Sequence, residues 1–433
     1  MKILVLHNSY KHHGGEDESF AAEVRMLRDA GHFVETIHLK NQEVGRLGSI
    51  HVALQSIWSH SSFDLVDRAL RDNSFDVLHI QNFFPLISPS VYAAARRRKV
   101  AVVQSLRNYR LLCPGTSLYR DGHLCEDCLH KTVKYPAVIH SCYRESAFAS
   151  AAVAAMVGLH SFLGTWKHDV DLYISLSESS RAKFIEAGFP PDKVTVKSNF
   201  VHPDPGPGDG KGGFVLFAGR IIPEKGIQTL LAAWSMVDPG QKLIMVGDGP
   251  LAPAVQDFCR RTPNAQWLGA RSTREVYELM GSASLVVFPS EWYEPFGRVA
   301  IESFAKGTPV VASDFAAMAE IVHDGHDGLL FRRADPCDLA AKINNAFANP
   351  SQLQAMRGAA RQTFEQCFSA AQNCEQLLSA YEKAQHIAAS SRHRQSTVTV
   401  QDSEVHKPKT NMPFAQLRNA RGHRKFRPKG IDA

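Results

Sequence analysis

No leader is evident at the start of the chain. Met1-Lys2 runs into only four apolar residues, Ile3 to Leu6, before polar His7-Asn8-Ser9, too few for the apolar core of a signal peptide. Cytoplasmic residence is the resulting expectation. The sequence also lacks an apolar run of the roughly 20 residues that a membrane span requires. Its most apolar later stretch, Ala147 to Gly164, is rich in small Ala and Ser, carries His160, and reads as a buried helix. There is no short internal repeat, and a composition of 44% hydrophobic and 21% charged residues excludes wholesale disorder, a collagen-like repeat and a polytopic membrane protein. Excess charge is missing from the body as well. Ten Lys or Arg against three Asp or Glu from Ser391 to Ala433 give +7, whereas 39 basic and 40 acidic residues elsewhere give −1. The basic character therefore belongs to a tail, and nucleic acid is not the expected partner.

What is present is strand and helix in alternation. At 433 residues the chain can hold two domains of about 150 to 200 residues each. Ile3 to Leu6 is a short apolar run suited to a strand buried on both faces, followed by a helix in which Phe20, Val24 and Leu27 recur at helical spacing and which Gly31 ends. Strands at 76–80, 100–105 and 172–176 alternate with helices at 88–98 and 179–187. Residues 202–213 contain no core-forming side chain and mark a junction. Beyond it the pattern restarts, with strands at 214–218, 242–246, 285–288 and 309–312 and helices between them. Two parallel α/β domains are expected, residues 1–201 and 214–366, joined by a 202–213 linker. The stretch 352–385 reads as continuous helix, residues 367–388 form a helical segment beyond the second domain, and 389–433 reads as a basic, disordered tail.

In open parallel sheets ligands bind at the carboxyl ends of strands, and four post-strand loops carry candidate chemistry. His12-His13-Gly14-Gly15 opens the first helix, where glycines let backbone amides approach an anion, or simply turn the chain. Gly219-Arg220 through Glu224-Lys225-Gly226 follows the first strand of the second domain; Arg220 offers a planar fork and Lys225 a point charge to phosphate oxygens. Val246-Gly247-Asp248-Gly249 is a glycine turn open to the same two readings. In Glu294-Pro295-Phe296-Gly297-Arg298 to Glu302, two carboxylates bracket a helix start and suit sugar hydroxyls.

Taken together, these residues resemble the retaining GT-B glycosyltransferases of family 4, the glycosyl transferases group 1, over roughly residues 1–385. The Glu294-to-Glu302 segment is the most specific part, and Gly219 to Gly226 the second. The resemblance implies two Rossmann-like domains facing a central cleft and a C-terminal helix crossing back to the first domain. It implies a sugar moved from a nucleotide-diphosphate donor to a sugar or lipid-linked sugar acceptor, in assembly of a surface polysaccharide or glycoconjugate. Arg220 and Lys225 would hold the diphosphate and Glu294 the donor sugar, with the amides of Phe296 and Gly297. Glu302 would bind the ribose, and Gly14, Gly15, Gly219 and Gly247 would line the donor site, with no cofactor required for catalysis. On the acceptor side stand Asn82, Arg107, Asn108 and Arg110. Many relatives have histidine in place of Arg107, and often of Gln81, so an acceptor-side histidine does not carry over. Arg107 and Arg110 then either bind an anionic acceptor or pair with acids.

Cys113, Cys125, Cys128 and Cys142 fall within one stretch, with a Cys-x2-Cys pair at 125–128. In a reducing compartment this suits a structural zinc, or else ordinary buried or free thiols. The run Arg96-Arg97-Arg98-Lys99 suits a peripheral contact with anionic lipid on the inner face of the cell membrane, or a solvated helix end. The competing functions are a GT-B-like nucleotide-sugar epimerase or phosphorylase, and nucleic-acid binding through the tail.

Overall fold

The computed structural model describes residues 1–9, 14–40 and 49–405, with side chains through Arg392. The first domain runs β1 (Lys2–Ser9), α1 (Gly15–Asp29), β2 (Phe33–Lys40), α2 (Ser49–Ile57), α3 (His60–Asp72), β3 (Val77–Asn82), α4 (Ser90–Arg98), β4 (Ala101–Leu106), β5 (Tyr119–Arg120), β6 (His123–Leu124), α5 (Tyr135–Ile139), α6 (Ala147–Phe162), α7 (Thr165–His168), β7 (Leu172–Ser175), α8 (Glu178–Glu186) and β8 (Val194–Val196). The second runs β9 (Phe214–Ala218), α9 (Ile227–Trp234), β10 (Lys242–Val246), α10 (Ala252–Arg261), β11 (Ala265–Trp267), α11 (Thr273–Ser282), β12 (Leu285–Phe288), α12 (Arg298–Ala305), β13 (Val310–Ser313), α13 (Ala317–Ile321), β14 (Gly328–Phe331), α14 (Pro336–Ala348) and α15 (Pro350–Cys367), before α16 (Ala370–Val405).

Each domain is built on a six-stranded parallel sheet. The orders are β2-β1-β3-β4-β7-β8 and β11-β10-β9-β12-β13-β14. Helices cover both faces, so β3, β4, β12 and β13 are buried along their whole length. That double burial is why they read as unbroken apolar runs. In each sheet the order reverses once, between β1 and β3 and between β9 and β12, and the crevice at such a reversal accepts ligands.

The segment after β8 is laced to the second domain: Gly208 N donates to Lys306 O (2.9 Å), and Gly210 N and Gly212 N to Gly281 O and Ser282 O (2.9 and 2.8 Å). The helix expected to run unbroken through 352–385 breaks after Cys367. Phe368, buried in the second core, gives its carbonyl to Val201 N (3.3 Å), a long-range bond with no Gly or Pro to announce it. The chain then returns to the first domain, where Leu377, Ala380, Tyr381 and Ala384 join the core formed by Ile3, Val5, Val24 and Leu27. Ala147 to Gly164 departs from the expected buried helix. α6 buries Val153, Met156 and Val157 but leaves Phe148, Leu159 and Phe162 in water.

A buried charge cluster locks the returning helix in place. Glu23 on α1, shut off from water, meets Lys197 Nζ at 2.9 Å, His79 Nδ1 at 3.4 Å and Arg107 Nη2 at 3.8 Å. Lys197 Nζ also donates to Asn373 Oδ1 (2.7 Å), and Tyr381 Oη lies 2.8 Å from His79 Nδ1. Burial pushes the Glu23 carboxyl up, but Lys197, His79 and Arg107 outweigh it and hold it down at about 2. Burial holds His79 at about 4, and His7, which faces Asp17 at 2.8 Å, also at about 4.

Both histidines therefore take up protons more readily in the unfolded chain, and so does Glu23. Stability is expected to fall as pH drops from about 6.5 through 4, because of the histidines, and again from about 4.5 toward 2, because of Glu23. A urea midpoint that stays flat between pH 6.5 and 4 contradicts this. Lys197→Met, which strands the Glu23 charge, is expected to cost about 3–5 kcal/mol, and Leu377→Ala about 2–5 kcal/mol, both read by urea titration.

Candidate functional site

The reversal in the second sheet brings together the loops that follow β9 and β12. They are stitched to each other: Glu291 N and Ser290 Oγ both donate to Glu224 O (2.9 and 3.3 Å). Gly226, at φ +68°, lies where a Cβ would run into the Pro289 carbonyl, so only glycine allows the loops to close this far. The result places the Lys225 ammonium over the rings of Phe288 (5.1 Å) and Trp292 (5.6 Å) and 2.5 Å from Glu294 Oε2. The same oxygen accepts from Ser290 Oγ (3.1 Å) and Trp292 Nε1 (2.9 Å). With three donors on Oε2, the buried carboxylate is fixed in orientation, and its Oε1 has no hydrogen-bond partner among the described residues. Arg220, earlier on the same post-β9 loop, is exposed and has no ion-pair partner among the described residues. Gly219 and Gly247 sit back to back, with the Gly219 carbonyl against the Gly247 Cα, and serve the close approach of the β9 and β10 loops.

Gly297, at φ +90°, caps α12, and the amides of Phe296 and Gly297 make no hydrogen bond among the described residues. The Phe296 ring itself is in the core against Phe368. Glu302 Oε1 accepts from Arg298 Nε (3.1 Å) and Nη2 (2.9 Å), and Arg298 Nη1 donates to Ser19 Oγ on α1 (2.8 Å). Arg298 thus ties the second carboxylate of the motif to the first domain, passing so close to Gly15 that a Cβ there would touch its Cδ at 3.4 Å. Two further contacts join the domains at this end: Ser177 Oγ donates to Pro295 O (2.9 Å), and Glu320 accepts from the α8 amides of Glu178 (2.8 Å) and Ser179 (2.6 Å). The glycine loop before α1 is less open to an anion than its sequence suggests. Gly14 N is bonded to Asp17 Oδ2 (3.1 Å), and Glu16, Asp17 and Glu18 fill the first turn. His12 and His13 lie outside the described residues.

The residues expected on the acceptor side divide. Asn82 is structural, donating to Asn8 O (2.7 Å) and accepting from Phe84 N (3.1 Å). Arg107 is buried, and its Nε donates to Gln81 Oε1 (2.6 Å) and its Nη1 to Asn199 Oδ1 (2.9 Å). The two positions at which this chain departs from its resemblance are therefore one interacting pair. Asn108 bridges Glu16 Oε1 (3.0 Å) and the Arg110 amide (3.1 Å). The Arg110 guanidinium lies 4.2 Å over the Phe84 ring, with Nη1 buried and unpartnered.

The four clustered cysteines are neighbours in space. A Cβ on Gly115 would sit 3.3 Å from Cys142 Cβ and 3.6 Å from Cys113 Sγ. Burial, then the neighbouring thiols, push Cys128 up to about 11. Among the described residues no group of three or more His, Cys, Asp or Glu side chains is set to hold a metal ion. An Asp-x-Asp sequence at 169–171 is engaged structurally: Asp171 accepts from Val102 N (2.8 Å), and Asp169 pairs with Arg96 (3.2 Å). Helix α16 continues through Val405, into the 389–433 stretch expected as a disordered tail, whose side chains beyond Arg392 and whose residues 406–433 lie outside the described residues; no helix among the described residues is long and apolar enough to cross a membrane.

Several residues of the site carried no sequence signal. Ser290 and Trp292 sit inside a conspicuous motif, but nothing in it reveals that both aim at Glu294. Ser19, Lys197 and Glu320 are single polar residues whose partners lie 279, 174 and about 140 positions away and which only the tertiary fold brings into contact.

Comparison with known proteins fits this geometry. Residues 202–363 match the family model described as glycosyl transferases group 1. An uncharacterized glycosyltransferase of Methanocaldococcus jannaschii is 36% identical over 163 residues, 37% of this chain and 45% of the relative. An alpha-maltose-1-phosphate synthase of Mycolicibacterium smegmatis is 33% identical over 184 residues, 39% of this chain and 47% of the relative. The chain thus spans about half the length of the curated relatives it matches. The crystal structure of Anabaena HepE in complex with UDP superposes with a TM-score of 0.64 at 19% identity, covering 88% of this chain and all of that one. Residues 202–363 therefore match the glycosyl transferases group 1 family, within a chain that has the two-domain GT-B fold.

Proposed function

We propose that this protein transfers a sugar from a nucleotide-diphosphate donor to a sugar or lipid-linked sugar acceptor with retention of configuration, in polysaccharide or glycoconjugate assembly. The reading rests on one observation: at the reversal of the second sheet, Lys225 is held against Glu294, Arg220 stands exposed on the same loop as Lys225, and the Phe296 and Gly297 amides just before α12 are unpaired among the described residues. Negative charge develops on the diphosphate as it leaves, and two cations already in place stabilise it without reorganisation. Glu294, held by Oε2, has Oε1 left to accept a donor-sugar hydroxyl. Glu302 takes the ribose hydroxyls, with Arg298 either sharing that carboxylate or turning away.

The bond from the anomeric carbon to the diphosphate breaks, and the acceptor oxygen forms its bond on the same face. The acceptor's proton passes to the departing phosphate oxygen. Arg107 does not take that proton, because a guanidinium hydrogen-bonded to Gln81 and Asn199 is not a base. With Arg220 and Lys225 at the diphosphate, turnover is proposed to need no divalent ion.

Arg220→Ala and Lys225→Ala are each expected to lower kcat by about 10²- to 10³-fold; near-normal turnover in either variant would remove the diphosphate assignment. The first ligand to try is UDP, since crystals of HepE hold UDP and UDP-glucose. In a thermal-shift series over nucleoside diphosphates, one base is expected to raise the melting temperature of the wild type, with or without EDTA, and to fail on Glu302→Ala. A stabilisation that needs metal contradicts the proposed independence. For stereochemistry, the product is expected to keep the donor's anomeric configuration by NMR, and an inverted product overturns retention.

A further inference from the structure

Among the described residues, ten of the thirteen exposed large hydrophobic side chains fall in two stretches of the first domain, Ile50 to Trp58 and Val133 to Leu163. These stretches are joined in space. α6 packs against both α2 and α5. Gly158 on α6 approaches the Thr132–Val133 backbone so closely that a Cβ would lie 3.3 Å from the Thr132 carbonyl, and His160 Nε2 is 3.0 Å from the Ile57 carbonyl oxygen. α6 itself inverts the usual pattern of a surface helix. Its exposed residues, Ala147, Phe148, Ala155, Leu159 and Phe162, are all apolar, and their spacing places them along one side. Phe162 is 84% exposed, Ile139 70% and Ile50 68%. Apolar surface gathered in this way marks an interaction site.

The surrounding charge selects the occupant. Lys131, Arg144 and Lys167 are exposed alongside, with His130, His140 and His168, whereas Glu145 is the only carboxylate from Leu129 to His168. α2 carries no Lys, Arg, Asp or Glu. In the basic run at the end of α4, Arg98 is held on both oxygens of Asp67 (2.7 and 2.6 Å) and Arg96 on Asp169 (3.2 Å), whereas Arg97 and Lys99 are exposed. A second copy of this chain would set cations against cations across the face. We propose that the face formed by α2, α5 and α6 seats on the surface of an anionic lipid bilayer, its apolar side chains entering the headgroup boundary and its cations meeting lipid phosphates.

The test is co-sedimentation of the full chain with vesicles of phosphatidylcholine alone and of phosphatidylcholine mixed with phosphatidylglycerol. The wild type is expected to pellet with the mixed vesicles, less with phosphatidylcholine and less at high salt. Phe162→Glu and Ile139→Glu are each expected to weaken that binding by about tenfold or more, with unchanged melting temperature and unchanged nucleotide stabilisation, since both side chains stand in water. A wild type that stays in the supernatant, or variants that pellet as well as it does, overturns the proposal. So does a dimer in analytical ultracentrifugation that Phe162→Glu dissociates while vesicle binding is absent, which would give the face to a second copy. None of these outcomes touches the donor-site assignment.

Discussion

A carboxylate cut off from water governs the first domain. Glu23 cannot remain ionised at that depth without partners, and its partners come from everywhere the chain must be assembled: His79 from β3, Arg107 from just beyond β4, and Lys197 from just beyond β8. Lys197 in turn holds Asn373, and His79 holds Tyr381, on the helix that returns from the second domain. Removing any one partner exposes the others to the same desolvation problem, which is why such a cluster acts as a single unit. Arg107 is thereby immobilised by the same interactions that anchor the returning helix.

From that anchored domain the contacts extend outward to the donor loops. Arg298 spans from Glu302 to Ser19, and Glu320 caps α8 from across the domain boundary. The two glutamates of the motif are therefore in different situations. Glu294 is held within its own domain by Lys225, Ser290 and Trp292, whereas Glu302 is held by a residue that also grips the other domain. A ligand that draws on Glu302 must negotiate with a contact between domains, and one that draws on Glu294 need not. The orientation of Glu302 is thereby linked to how the two domains meet.

Much of the fold was legible because the strands that matter most are buried on both faces. β1, β9 and β12 announce themselves as apolar runs, and the loops after them carry the candidate chemistry. The strands that escaped notice are those at or near sheet edges. β2 is mostly half-exposed and mixes charge into its alternation, β11 is three residues long, and β14 is a short Gly-Leu-Leu-Phe run. Ala147 to Gly164 departs from its expected burial for a different reason. Small apolar residues look the same whether the helix they form is covered or left uncovered, and only its neighbours decide.

The sequence by itself determined the doubly wound class, the restart after residue 213, and the presence of Arg220, Lys225 and Glu294 on post-strand loops with Glu302 in the helix that follows. These follow from local periodicity and from where loops fall in a parallel sheet. Tertiary structure alone decided which groups those residues meet. It made Arg107 and Gln81 partners, engaged Glu302 with Arg298, broke the long helix at Phe368, and left the α6 face in water. The reason is physical: burial, ion pairing and the desolvation of charge depend on distances between residues tens to hundreds of positions apart, and spacing along the chain carries no record of them.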